Sequence, residues 1–181
     1  VGSEMCIRDS MKGDFSRIRY AADKHYSRVL KQQGRVDLDA DWNEQAALQA
    51  QHDRARTMDI VGDAGVPNGH DGFQIGYAGG ELRVHPGRMY VDGHLARLDG
   101  QAPIPLSDQP YLPTGVAVTP ADGRRDLVYL DVWERHVTAI EDPDLLEPAL
   151  GGPDTTTRVQ TVCQVKAVSY THLRAHETHP N

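Results

Sequence analysis

Three acids, Asp37, Asp39 and Asp41, alternate along one short stretch, a spacing that offers oxygen ligands to a hard cation such as calcium. A calcium loop of the EF-hand kind starting at Asp37 needs glycine at its sixth position and a carboxylate at its twelfth. Those positions hold Trp42 and Leu48, so the pattern fails at both. Helix capping and a solvated link account for the acids more simply. His70-Asp71 and Asp92-Gly93-His94 set imidazole beside carboxylate, the pairing of general acid–base chemistry. Both fall in turn-like segments, where polar residues are expected anyway, and neither has a nucleophile or third ligand near it in sequence. Glu141, Asp142, Asp144 and Glu147 offer the paired carboxylates that glycoside hydrolysis uses, although an acid-rich loop is ordinarily just solvated. A phosphate-cradling glycine loop, a GxSxG elbow and an HExxH helix are all missing. The sequence therefore assigns no catalytic residue, no metal ligand and no cofactor, and the expectation is a non-enzymatic protein.

The elements that would position such residues read as α+β: two N-terminal helices, over about 24–33 and 41–61, followed by a mostly antiparallel β-rich body. In the first helix Tyr26, Val29, Leu30 and Gln33 recur at helical spacing, and Gly34 supplies a stop. In the second, Asp41 is the expected cap, with Glu44 at capping-box spacing. The run that follows lacks Gly and Pro until Gly62. Its apolar stripe is built from small residues, Ala47 and Ala50, then Met58 and Val61, so with Trp42 it is a candidate packing surface for a neighbouring helix. An amphipathic helix lying on its own sheet is an equal alternative.

Beyond a Gly/Pro/Asn-rich connection the pattern changes to period two. Residues 72–77, 81–85, 88–92 and 94–98 read as short strands, with Asp92-Gly93 as a hairpin turn and Pro86-Gly87 as a second turn. Residues 101–123 read as a long surface loop. Residues 126–133 are the best strand, with Val128, Leu130 and Val132 on one face and Leu127, Tyr129 and Trp133 on the other. Val128, Leu130, Val132 and Trp133 are accordingly the expected core, with the strand buried on both sides. Residues 137–141 would return beside it, an acid-rich loop would span 142–157, and 158–167 would form a last strand. There Val159, Cys163 and Val165 share a face, so Cys163 reads as a packed thiol.

The two ends carry a different signal. One reading of Val1–Asp9 in DNA is GTG GGC TCG GAG ATG TGT ATA AGA GAC, whose reverse complement translates as Val-Ser-Tyr-Thr-His-Leu-Arg-Ala-His. That is Val168–His176 residue for residue. Antisense ends are what a library adapter ligated to both sides of one insert produces, and the string resembles a common adapter. Residues 1–10 and 168–181 are thus expected to be translated adapter, to be set aside before reasoning about fold. Met11 is then a plausible start, and the chain an N-terminal fragment of a longer protein. About 157 residues remain, one domain's worth, divided into a helical segment (11–62) and a β-rich body (63–167).

The formal net charge is −7, and the chain has no basic run, so sequestration of nucleic acid is not expected. Two cysteines, one of them in the expected adapter, cannot build a disulfide framework or a multi-cysteine zinc module. No apolar run approaches the roughly 20 residues of a membrane span, and MKGDFSRIR lacks the apolar stretch of a signal peptide. Synthesis in the cytoplasm, with no membrane partner, is the expectation.

The segments MKGDFSRIRY, KHYSRVLKQQGRVDLDADWNEQAALQAQ, RMYVDG and LVYLDVWERHVTAIEDPDLLEPALGGPDTTTRVQTV together resemble one bacterial family, the domain of unknown function 6519. Its members open with KGDF and carry the QQGRVxLDADWNEQ block, and the likeness spans nearly all of residues 11–167. Cys163 stands where an aromatic residue is usual in that family. The resemblance implies the N-terminal region of a longer protein of a phage-tail-like or prophage particle, baseplate- or tail-associated. Its partners would be further copies of itself or other particle proteins, and it would leave the cell inside such a particle. The alternative is the N-terminal module of a surface or carbohydrate-binding protein, or of a polysaccharide hydrolase completed further along the chain. The resemblance carries over no catalytic residue.

Overall fold

A computed structural model of the chain describes residues 13–17, 19–69, 72–112 and 125–169. The ends read as adapter lie outside the described residues, except Val168 and Ser169, as do His70, Asp71 and the 113–123 part of the expected long loop. The described residues form one α-helix, α1 (Asp39–Val61), and eight strands: β1 (Ala64–Gly65), β2 (Ile75–Ala78), β3 (Glu81–Val84), β4 (Gly87–Val91), β5 (His94–Leu98), β6 (Ile104–Pro105), β7 (Asp126–Val137) and β8 (Arg158–Ser169). The chain is thus mostly β, and the expected pair of N-terminal helices is corrected to one.

Residues 24–33 are not a helix. A single 3-10 turn, Ala22–Lys24, is ended by His25 in the left-handed conformation (φ 52°), and an extended arm follows. A ten-residue helix needs a buried face to hold it, because so short a helix is marginal in water. Here the stripe that predicted it finds no core: Tyr26 and Leu30 are exposed, and the Val29 N–H donates to the Gln45 side chain at 2.8 Å.

The capping expectation is corrected as well. Helix α1 begins two residues earlier than predicted, behind Leu38, with no side-chain cap. Asp41 and Glu44 therefore lie inside the helix rather than at a capping box. The carboxylates of Asp39 and Asp41 still sit at the positive end of the helix dipole. At the other end the Gly62 N–H closes onto the Met58 carbonyl at 2.9 Å, with Gly62 at φ 84°.

The chain divides into two compact units, residues 1–63 with 134–160, and 64–133 with 161–181. In the second, β1, β4 and β5 form one antiparallel sheet and β2, β3 and β6 another. The Asp92-Gly93 turn joins β4 to β5, with Val91 opposite His94 and both turn residues at positive φ (47° and 76°), as a two-residue primed turn requires. Phe73, Val84, Ala96, Leu106 and Val165 are the buried centre. Leu106 comes from the segment expected to drape over the surface; it sits instead in a 3-10 turn within that core. Gly87 is needed for space: a Cβ there would lie 3.0 Å from the backbone nitrogen of Gly72.

Strands β7 and β8 pair with each other. The side-chain contacts of Asp131 with Lys166 and of Arg135 with Gln160 show that they run in opposite directions. The expected separate strand at 137–141 does not form: β7 continues to Val137, and the Thr138 carbonyl then accepts from the N–H groups of Glu141 and Asp142 in a turn. Nor is β7 buried on both faces. Leu130 and Val132 pack on the core without being fully buried, Trp133 is half-buried, and Val128 is exposed beside Leu127 and Tyr129. The two-faced apolar pattern instead produces one face on the core and one facing outward.

Candidate interaction surface

In the first unit the acid-rich helix start holds the extended arm. The Asp39 carboxylate accepts from both the backbone N–H (2.9 Å) and the hydroxyl of Ser16. Arg19 pairs with Asp41 at 2.7 Å. Farther along, the Gln45 amide takes the Val29 N–H, and the Lys31 ammonium stands 4.3 Å from the centre of the Trp42 ring while pairing with Asp37 at 2.7 Å. Three of these four tethers use the residues that suggested a calcium loop, so Asp37, Asp39 and Asp41 clamp a strand of chain. The two Ser16 hydrogen bonds, the hydroxyl's first, hold the Asp39 pKa below the ordinary carboxylate value. Arm and helix start enclose a polar cleft of about 370 Å³, with Arg28, Lys31, Arg35 and Glu44 among its walls.

This clamp leaves apolar side chains uncovered. Leu30 is 74 % exposed, Val36 83 % and Trp42 63 %, and at the far end of α1 Ile60 is 77 % exposed beside exposed Val61. Only Ala40 and Leu48 of the helix are buried. Of the small-residue stripe, Ala47 and Met58 are half-buried and Ala50 is open. The helix therefore buries little of itself within its unit. On its outer side Gln49 donates to Asp53 at 3.1 Å and Arg56 pairs with Asp53; the Gln49 hydrogen bond is the main cause that lowers the Asp53 pKa.

Among the described residues the other candidate acids do not gather into a site. Asp142 and Glu147 cap 3-10 turns by accepting from the N–H groups of Asp144 and Ala149, and Glu141 pairs with Arg135 at 3.4 Å. Asp92 lies in the β4–β5 turn and His94 opens β5. Among the described residues no group of three or more His, Cys, Asp or Glu is placed to hold a metal ion. Cys163 packs on the core and reaches the Arg97 carbonyl at 3.5 Å; burial pushes its thiol pKa up, which keeps it a thiol.

In the second unit the outward face of β7 and β8 floors a groove of about 440 Å³, lined by Tyr111, Tyr129, Trp133 and the Asp131–Lys166 pair. The Lys166 ammonium lies 5.6 Å from the Trp133 ring centre, and its hydrogen bond to Asp131 raises its pKa. The groove wall is fixed by two buried amides that sequence reasoning did not single out. Gln109 donates to the Leu106 and Val165 carbonyls at 3.0 and 2.9 Å and accepts from the Val165 N–H at 2.7 Å; Gln164 donates to the Pro110 carbonyl at 3.1 Å. An isolated Gln in sequence carries no signal for such a role.

The described residues define a β-rich chain in which one polar helix clamps the arm that precedes it. The chain belongs to the family of unknown function DUF6519, which matches residues 11–178. The match extends through β8 and beyond Ala167. No curated protein and no solved structure gives a significant match. Among the described residues no helix is long and apolar enough to cross a membrane.

Proposed function

We propose that this chain is a non-enzymatic structural or attachment module of a phage-tail-like or prophage particle, working by self-association or by packing on other particle proteins. The observation that carries the assembly part is the exposed apolar surface of the first unit, with Leu30 and Val36 open along the cleft of the clamped arm and Trp42 open at the helix start beneath Lys31. Contiguous exposed apolar surface rimmed by charge marks interaction sites. The particle part rests on the likeness carried by the KGDF start and the QQGRVDLDADWNEQ block. A long read across the gene and its neighbours tests it. Flanking sheath, tube, spike or baseplate genes are the expected result; metabolic neighbours and a hydrolase or lectin domain in the same reading frame would contradict it.

The groove favours a second reading, a carbohydrate-binding surface module. Aromatic rings beside a few placed polar groups suit a ligand with apolar faces and hydroxyl edges. Polysaccharide titration followed by tryptophan fluorescence tests it: a saturable change lost in Trp133→Ala supports this reading, and no change across a panel of polysaccharides removes it.

A further inference from the structure

The first unit carries two charge clusters of opposite sign, and although Arg19, Lys31 and Glu141 are paired, each cluster keeps charged side chains with no ion-pair partner among the described residues. Between Phe15 and Val36 the arm holds Arg17, Arg19, Lys24, Arg28, Lys31 and Arg35 against the single acid Asp23, in a chain whose net charge is −7. Arg19 and Lys31 are paired with helix and link acids, but Arg28 and Arg35 meet no carboxylate within ion-pair distance among the described residues. Both line the cleft beside exposed Leu30 and Val36. The loop from Glu141 to Asp154 has the opposite character. Asp142 and Glu147 receive only backbone N–H groups, and Asp144 and Asp154 are exposed with no cation beside them among the described residues. Apolar side chains in and beside it are uncovered as well: Ile140, just before it, is 94 % exposed, and Leu146 and Leu150 are also open.

We propose that the basic arm of one copy docks on the acidic 141–154 loop of a second copy, with Leu30 and Val36 packing against Leu146 and Leu150. This rests on the assembly reading above and deepens it by naming the partner and its counter-surface. Opposite charge, each bordered by exposed apolar side chains, is the arrangement that steers and fixes a contact between two different patches. Because the patches differ, each copy offers one of each, so the same contact can be repeated from copy to copy or made twice in a closed pair.

The test uses the full chain and two charge-reversed variants, Arg28→Glu/Arg35→Glu in the arm and Asp144→Lys/Asp154→Lys in the loop. Circular dichroism confirms that each is folded. Sedimentation is expected to show self-association of the parent that weakens when salt is raised to ~0.5 M, where screening acts within a few ångströms. Each variant alone should associate roughly tenfold or more weakly, and an equimolar mixture of the two should recover the association, since reversed arm again meets reversed loop. Folded variants that associate like the parent, or a mixture no stronger than its components, would overturn the arm–loop contact while leaving the assembly reading standing. A parent that stays monomeric would overturn both. Arm-dependent binding of a DNA duplex, with self-association unaffected by Arg28→Glu/Arg35→Glu, would assign the arm to another partner and overturn the proposal.

Discussion

Ser16 and Asp39, 23 positions apart, are joined by two hydrogen bonds to one carboxylate, from the Ser16 backbone N–H at 2.9 Å and from its hydroxyl. That contact turns the acid-rich block into a fastening. Asp39 opens the helix, Asp41 follows with Arg19, and Gln45 takes a backbone N–H one turn on. The arm is held where a predicted helix would have released it.

The fastening should titrate. The Ser16 hydrogen bonds lower the Asp39 pKa in the folded chain, so their contribution to stability is fully present above the unfolded value of about 3.9 and is lost as pH falls through the lower folded value. Carboxyl NMR titration should show a depressed Asp39 pKa that returns toward the ordinary value in Ser16→Ala. An unchanged Asp39 titration in that variant would contradict the assigned cause.

Gln109→Ala should destabilise the chain by about 2–3 kcal/mol, because it strands the N–H and C=O of Val165 in a buried setting. Chemical denaturation of the variant beside the parent measures this. A loss below about 0.5 kcal/mol would mean that water replaces the amide there.

Gly87→Ala should cost about 1–3 kcal/mol, since the added methyl would press on the backbone of Gly72 and Phe73, which cannot move aside as a side chain would. Thermal unfolding reads the effect. Ala in place of Gly79 meets no atom nearby but takes a positive φ of 65°, so its loss should be the smaller one set by backbone strain alone.

What was legible in the sequence was local. Asp92-Gly93 announced its hairpin, since only certain residues accept two consecutive positive φ angles, and the strands at 81–84 and 94–98 followed from alternation. The helix near 41–61 was readable from its Gly- and Pro-free run, ended by Gly62. What failed depended on partners distant in sequence. Tyr26, Val29 and Leu30 have helical spacing but no surface to bury it, so the arm extends and gives the Val29 N–H to Gln45. Asp41 looks like a cap until Arg19 is seen beside it. The alternation in β7 spoke for two apolar faces, yet Tyr129 and Trp133 turn outward with Asp131, toward a groove whose wall depends on Gln109. The family is legible in the KGDF and QQGRVDLDADWNEQ motifs, and in this chain the helix block acts as a clamp on the arm.

Trp42 tests whether the uncovered patch is used. With its ring exposed beyond the Lys31 contact, Trp42→Glu should leave the circular dichroism spectrum unchanged while weakening self-association roughly tenfold or more, as loss of an aromatic anchor does at an interface centre. Undiminished association would place the contact elsewhere on the chain.

The most direct test of the assembly account is light scattering of the full chain across a wide concentration range. The account predicts a mass that rises with concentration above that of the 20.0 kDa monomer and falls back on dilution. A mass that stays at the monomer value at the highest concentration reached would contradict self-association.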